Sequence, residues 1–219
     1  MLSRAAALRT LLARPGCHQM PCCGDALGAR LIEEAGFPVT FVSGFSAAAA
    51  KGLPDTGLLS YGEMVGVMRR VAGTLRRIPC IGDGDTGYGN AVNAKRTVRG
   101  YAEAGLAGIM IEDQAWPKRC GHTRDKSVVD RDTAIERVRA AVDAAREFAA
   151  DTGTTPICVM ARTDARATHS LDEALERARL FREAGADILF VEAPQSVDEM
   201  RAICSSTGDT PQMANMLAG

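Results

Sequence analysis

Carboxylate side chains follow two neighbouring apolar runs of this chain. Asp83 and Asp85 come directly after the run 78–82, and Glu112 follows the run 107–111. Asp83 and Asp85 are two residues apart, so in extended backbone their side chains share one side. Such hard oxygen donors suit a Mg²⁺ ion that keeps several waters and contacts oxygens of its substrate. The alternative is that the aspartates only cap turns; the position of Glu112 at the next strand end favours the metal site.

The second chemical signal is the segment Lys118-Arg119-Cys120-Gly121-His122, which we call the Cys120 segment. Cations beside a thiol lower its pKa, which suits the thiol to donate or accept a proton, or to act as a nucleophile, near neutral pH. The glycine gives the segment the freedom to close over a substrate. The alternative is a surface loop with an incidental thiol. We expect this segment and the preceding Glu-Asp-Gln strand end to face one pocket.

The elements that must position these residues repeat one theme along the chain. A short apolar run leads into a Gly/Asp/Thr turn, and an Ala/Arg/Glu-rich stretch with apolar residues three and four apart follows. The apolar runs are 19–23, 38–42, 78–82, 107–111, 156–161, 187–191 and 211–214. The helical patterns include 61–75, 91–104, 131–150, 171–184 and 197–205. Seven βα-like periods result.

Strands that alternate with helices predict an α/β fold with a parallel sheet, because parallel strands need crossover connections. A dinucleotide-binding sheet would place its glycine-rich turn after the first strand. Here that turn, residues 82–89, follows the third run and holds two acids. We therefore predict a (β/α)8 TIM barrel that forms a single domain over 1–219. Only seven periods are counted, so we expect the last βα unit to be absent from this chain. In such a barrel the chemistry lies at the carboxyl ends of the strands.

The composition excludes several classes of function. The chain has 219 residues, 26 basic and 27 acidic side chains and a formal net charge of -1, which gives no field to gather nucleic acid or an anionic membrane. No apolar run approaches the roughly 18 to 20 residues of a membrane span. We expect neither nucleic acid nor a membrane as a partner.

The cysteines and the amino terminus bear on the cellular compartment. Seven cysteines, an odd number without a CxxC pair, favour a reducing compartment and argue against a structural zinc site. We interpret six of them as small core residues and set Cys120 apart. The first sixteen residues are Arg-rich and amphipathic, which predicts an opening helix of the fold; a mitochondrial presequence is the alternative. We expect a cytoplasmic protein.

Seven motifs occur in order over nearly the whole chain and resemble the isocitrate lyase / phosphoenolpyruvate mutase superfamily. They are Ser43-Gly44, Gly52-Leu53-Pro54-Asp55, the run 83–89, Ile111-Glu112-Asp113-Gln114, the Cys120 segment, Ala161-Arg162-Thr163-Asp164-Ala165 and Glu192-Ala193-Pro194. The Lys-Arg-Cys-Gly-His segment is similar to that of the C–C lyases of the superfamily. That branch includes methylisocitrate lyases, 2,3-dimethylmalate lyases, oxaloacetate hydrolases and petal death proteins.

The resemblance implies a modified (β/α)8 barrel that binds Mg²⁺, or Mn²⁺ in its place, together with a short 2-oxo acid. The implied metal-site residues are Asp83, Asp85 and Glu112. The implied catalytic residues are Cys120, Lys118, Arg119, His122, Glu112 and Arg162. The implied substrate-binding residues are Ser43, Gly44, Phe45, Asp55, Gly121, Arg162, Glu192 and Asn215. In these roles Cys120 exchanges a proton with the carbon released by cleavage, Arg162 binds a substrate carboxylate, and backbone N–H groups of 43–45 meet the carboxylate of the oxo acid.

The function implied is a Mg²⁺-dependent lyase that cleaves a C–C bond of a small 2-hydroxy or 2-oxo dicarboxylate of the 2-alkylmalate, methylisocitrate or oxaloacetate type. By resemblance, the expected assembly is a homotetramer. Two alternatives stay open. One is a catalytically idle barrel that serves as an interaction or regulatory subunit. The other is a phosphonate mutase-type enzyme, of the carboxyphosphonoenolpyruvate kind, which shares the metal site.

Overall fold

A computed structural model of the chain describes residues 3–121, 123 and 125–215, and within them six parallel strands form one sheet. The strands are β1 (Cys22–Cys23), β2 (Thr40–Val42), β3 (Cys80–Asp83), β4 (Gly108–Glu112), β5 (Cys158–Thr163) and β6 (Ile188–Val191). Their order in the sheet is their order in the chain. Each crossover therefore steps to the next neighbour in one direction, as in a barrel, whereas a doubly wound sheet reverses at a switch point. The predicted barrel-type α/β fold is confirmed.

The helices lie between the strands, and their starts follow from local sequence. They are α1 (Arg4–Leu12), α2 (Ala26–Glu34), α3 (Gly44–Ala49), α4 (Tyr61–Thr74), α5 (Ala91–Glu103), α6 (Arg131–Thr152), α7 (Ala165–Thr168), α8 (Leu171–Glu183) and α9 (Val197–Ser206). Ser60 and Asn90 each form a capping box at the start of a helix. Ser170 and Ser196 accept a hydrogen bond from the third residue of the helix they precede. The five helical patterns match α4, α5, α6, α8 and α9 to within two residues.

The two faces of the sheet bury different sets of side chains. Ile109, Ile111 and Val159 belong to the large apolar cluster formed with the helices between the strands. Met110 and Met160 belong to a second cluster on the opposite, inner face of the sheet. This alternation follows from the period of two along a strand. All crossovers therefore lie on one face, and the inner face is left to side chains of the strands themselves.

Along the inner face, apolar residues give way to charged ones towards the carboxyl ends of β4 and β5. In β4 the order is Met110 and then Glu112, and in β5 it is Met160 and then Arg162. The strand register pairs Met110 with Met160 and Glu112 with Arg162. The apolar and charged side chains are therefore stacked as layers, and the charged layer lies at the end of the barrel where catalysis is expected.

Helix α1 covers the amino end of the inner face. Its Leu8 and Leu11 are buried in the cluster that holds Phe41, Met110 and Met160. This places the Arg-rich amino terminus within the fold, as the opening helix that the sequence predicts.

Two sequence-based expectations are corrected by the structure. The seventh run, 211–214, makes only a single parallel bridge, from Gln212 to Leu189, within the described residues. The six cysteines assigned to the core divide equally: Cys23, Cys80 and Cys158 are buried, whereas Cys17, Cys22 and Cys204 are exposed. Local apolar neighbours do not reveal which side of an element faces the core. Among the described residues, no helix is long and apolar enough to cross a membrane.

Candidate active site

Asp83 ends β3 and organises the backbone around it. Its Oδ2 accepts a hydrogen bond from the N–H of Gly44 at 2.9 Å, and its Oδ1 accepts one from the N–H of Asp85 at 3.0 Å. Asp85 has a φ of 47°, a conformation that is uncommon for residues other than glycine. Asp83 thus also performs the loop capping that the sequence left open as an alternative. The N–H of Gly44, which the resemblance assigned to a substrate carboxylate, donates to Asp83 in this structure.

Lys118 brings the Cys120 segment to these acids. Its Nζ lies 2.7 Å from Asp85 Oδ1 and also pairs with Asp55, and all three side chains are almost fully buried. Burial, and after it the neighbouring Asp83, raise the pKa of Asp85 to about 6, against the lowering effect of Lys118. Burial alone would lower the pKa of Lys118, but carboxylates, led by Asp85 and Asp83, raise it overall. Lys118 is therefore a fully charged cation inside a group of acids.

Arg162, in β5, is surrounded by three carboxylates. Its Nε and Nη2 each donate to Asp164 at 2.9 Å, in a bidentate pair. Its Nε also lies 3.4 Å from Glu112 Oε2, and its Nη2 lies 3.3 Å from Glu192 Oε2. Burial raises the pKa of Glu112 well above its usual value, although Arg162 opposes this shift. Burial therefore favours the protonated form of Glu112, whereas Arg162 favours the charged form.

The Cys120 segment is seated directly on this cluster. A Cβ placed on Gly121 would lie 2.5 Å from Arg162 Nη2 and 2.8 Å from Glu192 Oε2, so only glycine fits so close to these groups. Gln114 anchors the start of the segment: its side chain accepts from the N–H of Arg119 and donates to the carbonyl of Arg119. Cys120 is half-buried. His122, assigned to the same segment by sequence, lies outside the described residues.

The remaining predicted site residues differ in how they face the site. Ser43 is half-buried and directly precedes α3, whereas the side chain of Phe45 in the first turn of that helix is 57% exposed. Arg119 is exposed. Asn215 is half-buried and follows the bridge of Gln212 to Leu189. The exposure of Phe45 places its ring at the rim and leaves only its backbone to serve the inner site.

The acids fit a Mg²⁺ ion in chemistry, although they do not form a complete cage. Among the described residues, no group of three or more His, Cys, Asp or Glu side chains has the arrangement of a metal cluster. Mg²⁺ is usually held by one or two carboxylates together with waters and substrate oxygens, so a full protein cage is not required. Glu112 Oε1 is buried and has no hydrogen-bond partner in the described part of the chain. Asp85 and Glu112 are the side chains whose chemistry suits the ion best.

Sequence reasoning assigned no role to a set of buried side chains that hold the site residues in place through hydrogen bonds and ion pairs. Asp113 accepts from the Thr163 hydroxyl at 2.6 Å and from the Asp164 N–H at 2.9 Å. Arg177 in α8 donates to Asp113 at 3.1 Å. Lys126 pairs with Asp164 at 2.6 Å. Asp113, Thr163 and Asp164 stand at strand ends and within motifs already quoted from the sequence, where they received no role; nothing local marks Lys126 or Arg177.

This fold and this site define a parallel α/β barrel-type protein with a carboxylate-rich centre at the carboxyl ends of its strands. The chain matches the family model described as phosphoenolpyruvate phosphomutase over residues 8–218. It is 42% identical over 217 residues to the petal death protein of Dianthus caryophyllus, covering 99% of this chain and 66% of that protein. It is 40% identical over 220 residues to 2,3-dimethylmalate lyase of Eubacterium barkeri, covering 100% of this chain and 73% of that enzyme.

Solved structures show the same similarity. Oxaloacetate acetylhydrolase in complex with the inhibitor 3,3-difluorooxalacetate matches with a TM-score of 0.90 and 34% identity, over 96% of this chain and 70% of that one. Phosphonopyruvate hydrolase in complex with oxalate and Mg²⁺ matches with a TM-score of 0.83 and 32% identity, over 96% and 71%. The chain belongs to the phosphoenolpyruvate phosphomutase family, within the phosphoenolpyruvate mutase / isocitrate lyase superfamily. It spans about two thirds of the length of the curated relatives it matches.

Proposed function

We propose that this protein is a Mg²⁺-dependent lyase that cleaves a C–C bond of a small 2-hydroxy or 2-oxo dicarboxylate, with Cys120 as general acid/base. The observation that carries the proposal is the seating of the Cys120 segment between two charged groups. On one side Lys118 pairs with Asp85, and on the other Gly121 contacts Arg162. Cys120 therefore lies in the chain between a lysine that pairs with a buried acid and a glycine that packs on a buried guanidinium.

Asp85 and Glu112 would hold the ion, with Asp83 orienting the loop that carries Asp85. Bound there, Mg²⁺ would polarise the oxygens of the oxo-acid fragment and stabilise the negative charge on its 2-oxygen from which cleavage starts, while the electron pair of the broken bond goes to the released carbon of the other fragment. The structure named as a phosphonopyruvate hydrolase contains Mg²⁺ and oxalate. This supports the choice of Mg²⁺ and of a small 2-oxo acid that binds together with it.

Arg162 would orient a carboxylate of the substrate. Within the described part of the chain its hydrogen bonds and ion pairs use Nε and Nη2, so Nη1 is the nitrogen with which it would bind a ligand. Three carboxylates surround Arg162, and the cations Lys118 and Arg162 would offset negative charge where a dianionic substrate must enter. Preorganised charges of this kind are worth more in a buried site than in water.

Cys120 would give a proton to the carbon that is released when the bond breaks. General acid catalysis by a positioned side chain contributes about 10²–10⁴-fold to a rate. Gly121 holds the backbone next to the thiol against Arg162 and Glu192, which fixes the segment near the carboxylate end of a bound substrate and excludes water from it.

The relatives named as 2,3-dimethylmalate lyase and 2-methylisocitrate lyase, and the neighbour named as oxaloacetate acetylhydrolase, support the substrate class. A homotetramer in the cytoplasm stays a prediction of the resemblance and of the composition. Activity in this protein is open to direct measurement.

The test is an assay of the purified protein with 2,3-dimethylmalate, 2-methylisocitrate and oxaloacetate, with Mg²⁺ or with excess EDTA, following the release of 2-oxo acid or oxalate. We expect turnover of one of these acids that EDTA abolishes and Mg²⁺ restores. Cys120→Ala should lose about 10²–10⁴-fold in kcat. Cys204→Ala, which removes an exposed thiol on α9, is the matched control and should keep full activity.

Three outcomes would contradict the proposal. Equal turnover by Cys120→Ala would remove the thiol from the chemistry. Turnover of phosphonopyruvate alone would favour phosphonate chemistry. An absence of both turnover and calorimetric heat with Mg²⁺ plus oxalate would favour an idle barrel.

A further inference from the structure

Lys126 is a buried cation that no motif of the sequence singled out. Its side chain is 3% exposed, and it lies five residues after Gly121. Its Nζ donates to the backbone carbonyl of Gly121 at 2.7 Å and to Asp164 Oδ1 at 2.6 Å. One ammonium group therefore connects the Cys120 segment to the carboxyl end of β5.

The two partners of Lys126 meet again at Arg162. Asp164 accepts two hydrogen bonds from the guanidinium of Arg162, each at 2.9 Å. The Cα of Gly121 packs so closely on Arg162 that a Cβ would lie 2.5 Å from its Nη2. Gly121, Lys126, Asp164 and Arg162 thus form a closed ring of contacts, which we call the Lys126 clamp.

The charges of the clamp restrict the positions that its groups can take. A buried ammonium is stable only when an opposite charge and further acceptors satisfy it. Asp164 supplies the charge and the Gly121 carbonyl supplies the second acceptor. Charge-assisted hydrogen bonds of this kind are short and strong, so they fix the direction of the Gly121 carbonyl. Cys120 is adjacent to Gly121 in the chain, so its position is restrained as well.

We propose that Lys126 is a positioning residue that holds the Cys120 segment in register with Arg162. Its effect on turnover rests on the proposed function, since it acts through the thiol and the guanidinium. Its effect on the position of the Cys120 segment does not rest on the proposed function. That effect can be measured even if the protein has no lyase activity.

The primary test compares the alkylation of Cys120 by iodoacetamide in the wild type and in Lys126→Met, with each cysteine quantified in its own peptide by mass spectrometry. Without the clamp the segment separates from Arg162, and we expect Cys120 to react about ten- to hundredfold faster, the range that a charge-assisted hydrogen bond supports. The exposed Cys17 and Cys204 serve as internal references. Lys95→Met, which breaks an exposed pair with Glu147, is the matched control and should react like the wild type.

The buried Cys80 and Cys158 separate positioning from a general loss of stability. A merely structural role predicts that both react faster together with Cys120, whereas the clamp predicts a change at Cys120 alone. Lys126→Gln keeps a donor without the charge and should lie between the wild type and Lys126→Met. If Lys126→Met does not fold, Lys126→Gln carries the same test.

In turnover assays Lys126→Met should lower kcat by about 10²-fold, which is the cost of misplacing a reacting group by about 1 Å, with a smaller change in KM. An unchanged alkylation rate of Cys120 in the folded variants would overturn the proposal, whatever the activity. Faster alkylation in a protein without lyase activity would support the clamp and reject the proposed function. The two claims can therefore fail separately.

Discussion

The two ends of the sheet bury opposite kinds of side chain, although the same strands form both. At the amino end, α1 places Leu8 against Phe41 and Met110, and the contact is apolar. At the carboxyl end, Glu112 and Arg162 are equally buried, and the contact is between charges. Burying a charge is far more costly than burying a leucine unless the charge is paired. The carboxyl end therefore carries an energetic cost that the amino end does not.

Backbone conformation shows the same contrast. Among the described residues, the non-glycine residues with positive φ are Asp85, Tyr88, Asp125 and Ala193. Each follows the carboxyl end of a strand: β3 for the first two, β4 and β6 for the others. Such conformations cost free energy and persist only where the surroundings hold them, which is typical of functional sites.

At the amino end, Arg4 of α1 holds backbone segments of the fold together. Arg4 donates to the backbone carbonyls of Ala72, Leu75 and Gly105 at 2.7, 2.7 and 3.1 Å. At the carboxyl end, Glu112 Oε1 is buried without a hydrogen-bond partner in the described residues. The comparison assigns stability to the amino end and reactivity to the carboxyl end.

The largest expected effect comes from Arg162→Met. This change leaves Glu112, Asp164 and Glu192 without their shared cation, and breaking a buried ion pair in this way costs about 4 kcal/mol of unfolding free energy. Urea denaturation measures the loss. Arg201→Met, which breaks the exposed pair with Asp198, is the matched control and should change stability by less than about 0.5 kcal/mol. A loss of less than about 1 kcal/mol for Arg162→Met would mean that the three carboxylates need no counter-charge.

At the amino end, Leu8→Ala should cost about 3 kcal/mol, because it removes a fully buried side chain and leaves a cavity. The same urea titration measures it. Because α1 lies away from the site, kcat of the folded variant should stay within about twofold of the wild type, as a turnover assay with saturating Mg²⁺ would show. A large fall in kcat would contradict the separation of the two ends.

The smallest effect is expected for Glu33→Gln in α2. Glu33 Oε1 accepts from the backbone N–H groups of Arg76, Arg77 and Ile78 at 2.9, 2.6 and 3.2 Å. Burial alone would raise the pKa of Glu33, but these bonds lower it overall. We expect a loss of about 1–2 kcal/mol at neutral pH, because hydrogen bonds to a charged acceptor are stronger than those to an amide.

The pH dependence of that loss follows from the direction of the pKa shift. A carboxylate with a lowered folded-state pKa stabilises the fold above its unfolded value of about 4.3, and this contribution disappears as the pH falls through the folded pKa. The difference between wild type and Glu33→Gln should therefore shrink from pH 7 to pH 3. A difference that stays constant across this range would show that the charge of Glu33 does not stabilise the loop before β3.

Five of the helices were predictable from sequence to within two residues because their signals are local. Ser60, Asn90 and Ser196 mark helix starts in the chain itself. Strands were less accurate: the run 19–23 yields only the two residues of β1, and the run 211–214 only a bridge. Strand limits depend on what a neighbouring strand offers for pairing, and no local pattern contains that information.

The position of the acids at the carboxyl ends of the strands was predictable from sequence because a simple rule locates them: polar residues directly after apolar runs lie at those ends. The same rule could not find Lys126, which lies within a loop, or the pairing of the Gly44 N–H with Asp83. These contacts join residues 38 and 39 positions apart, and the path of the loops decides them.

The sequence by itself determined the alternation of strand and helix, the helix starts, and the order in which acids and the Cys120 segment follow the strands, because each depends on neighbours within a few residues. Only the tertiary structure decided which of these groups share one buried space. In the low dielectric of that space, Lys118, Lys126 and Arg162 act as counter-charges to the buried acids, because charges interact strongly where water is excluded. Their local sequence does not distinguish them from surface cations.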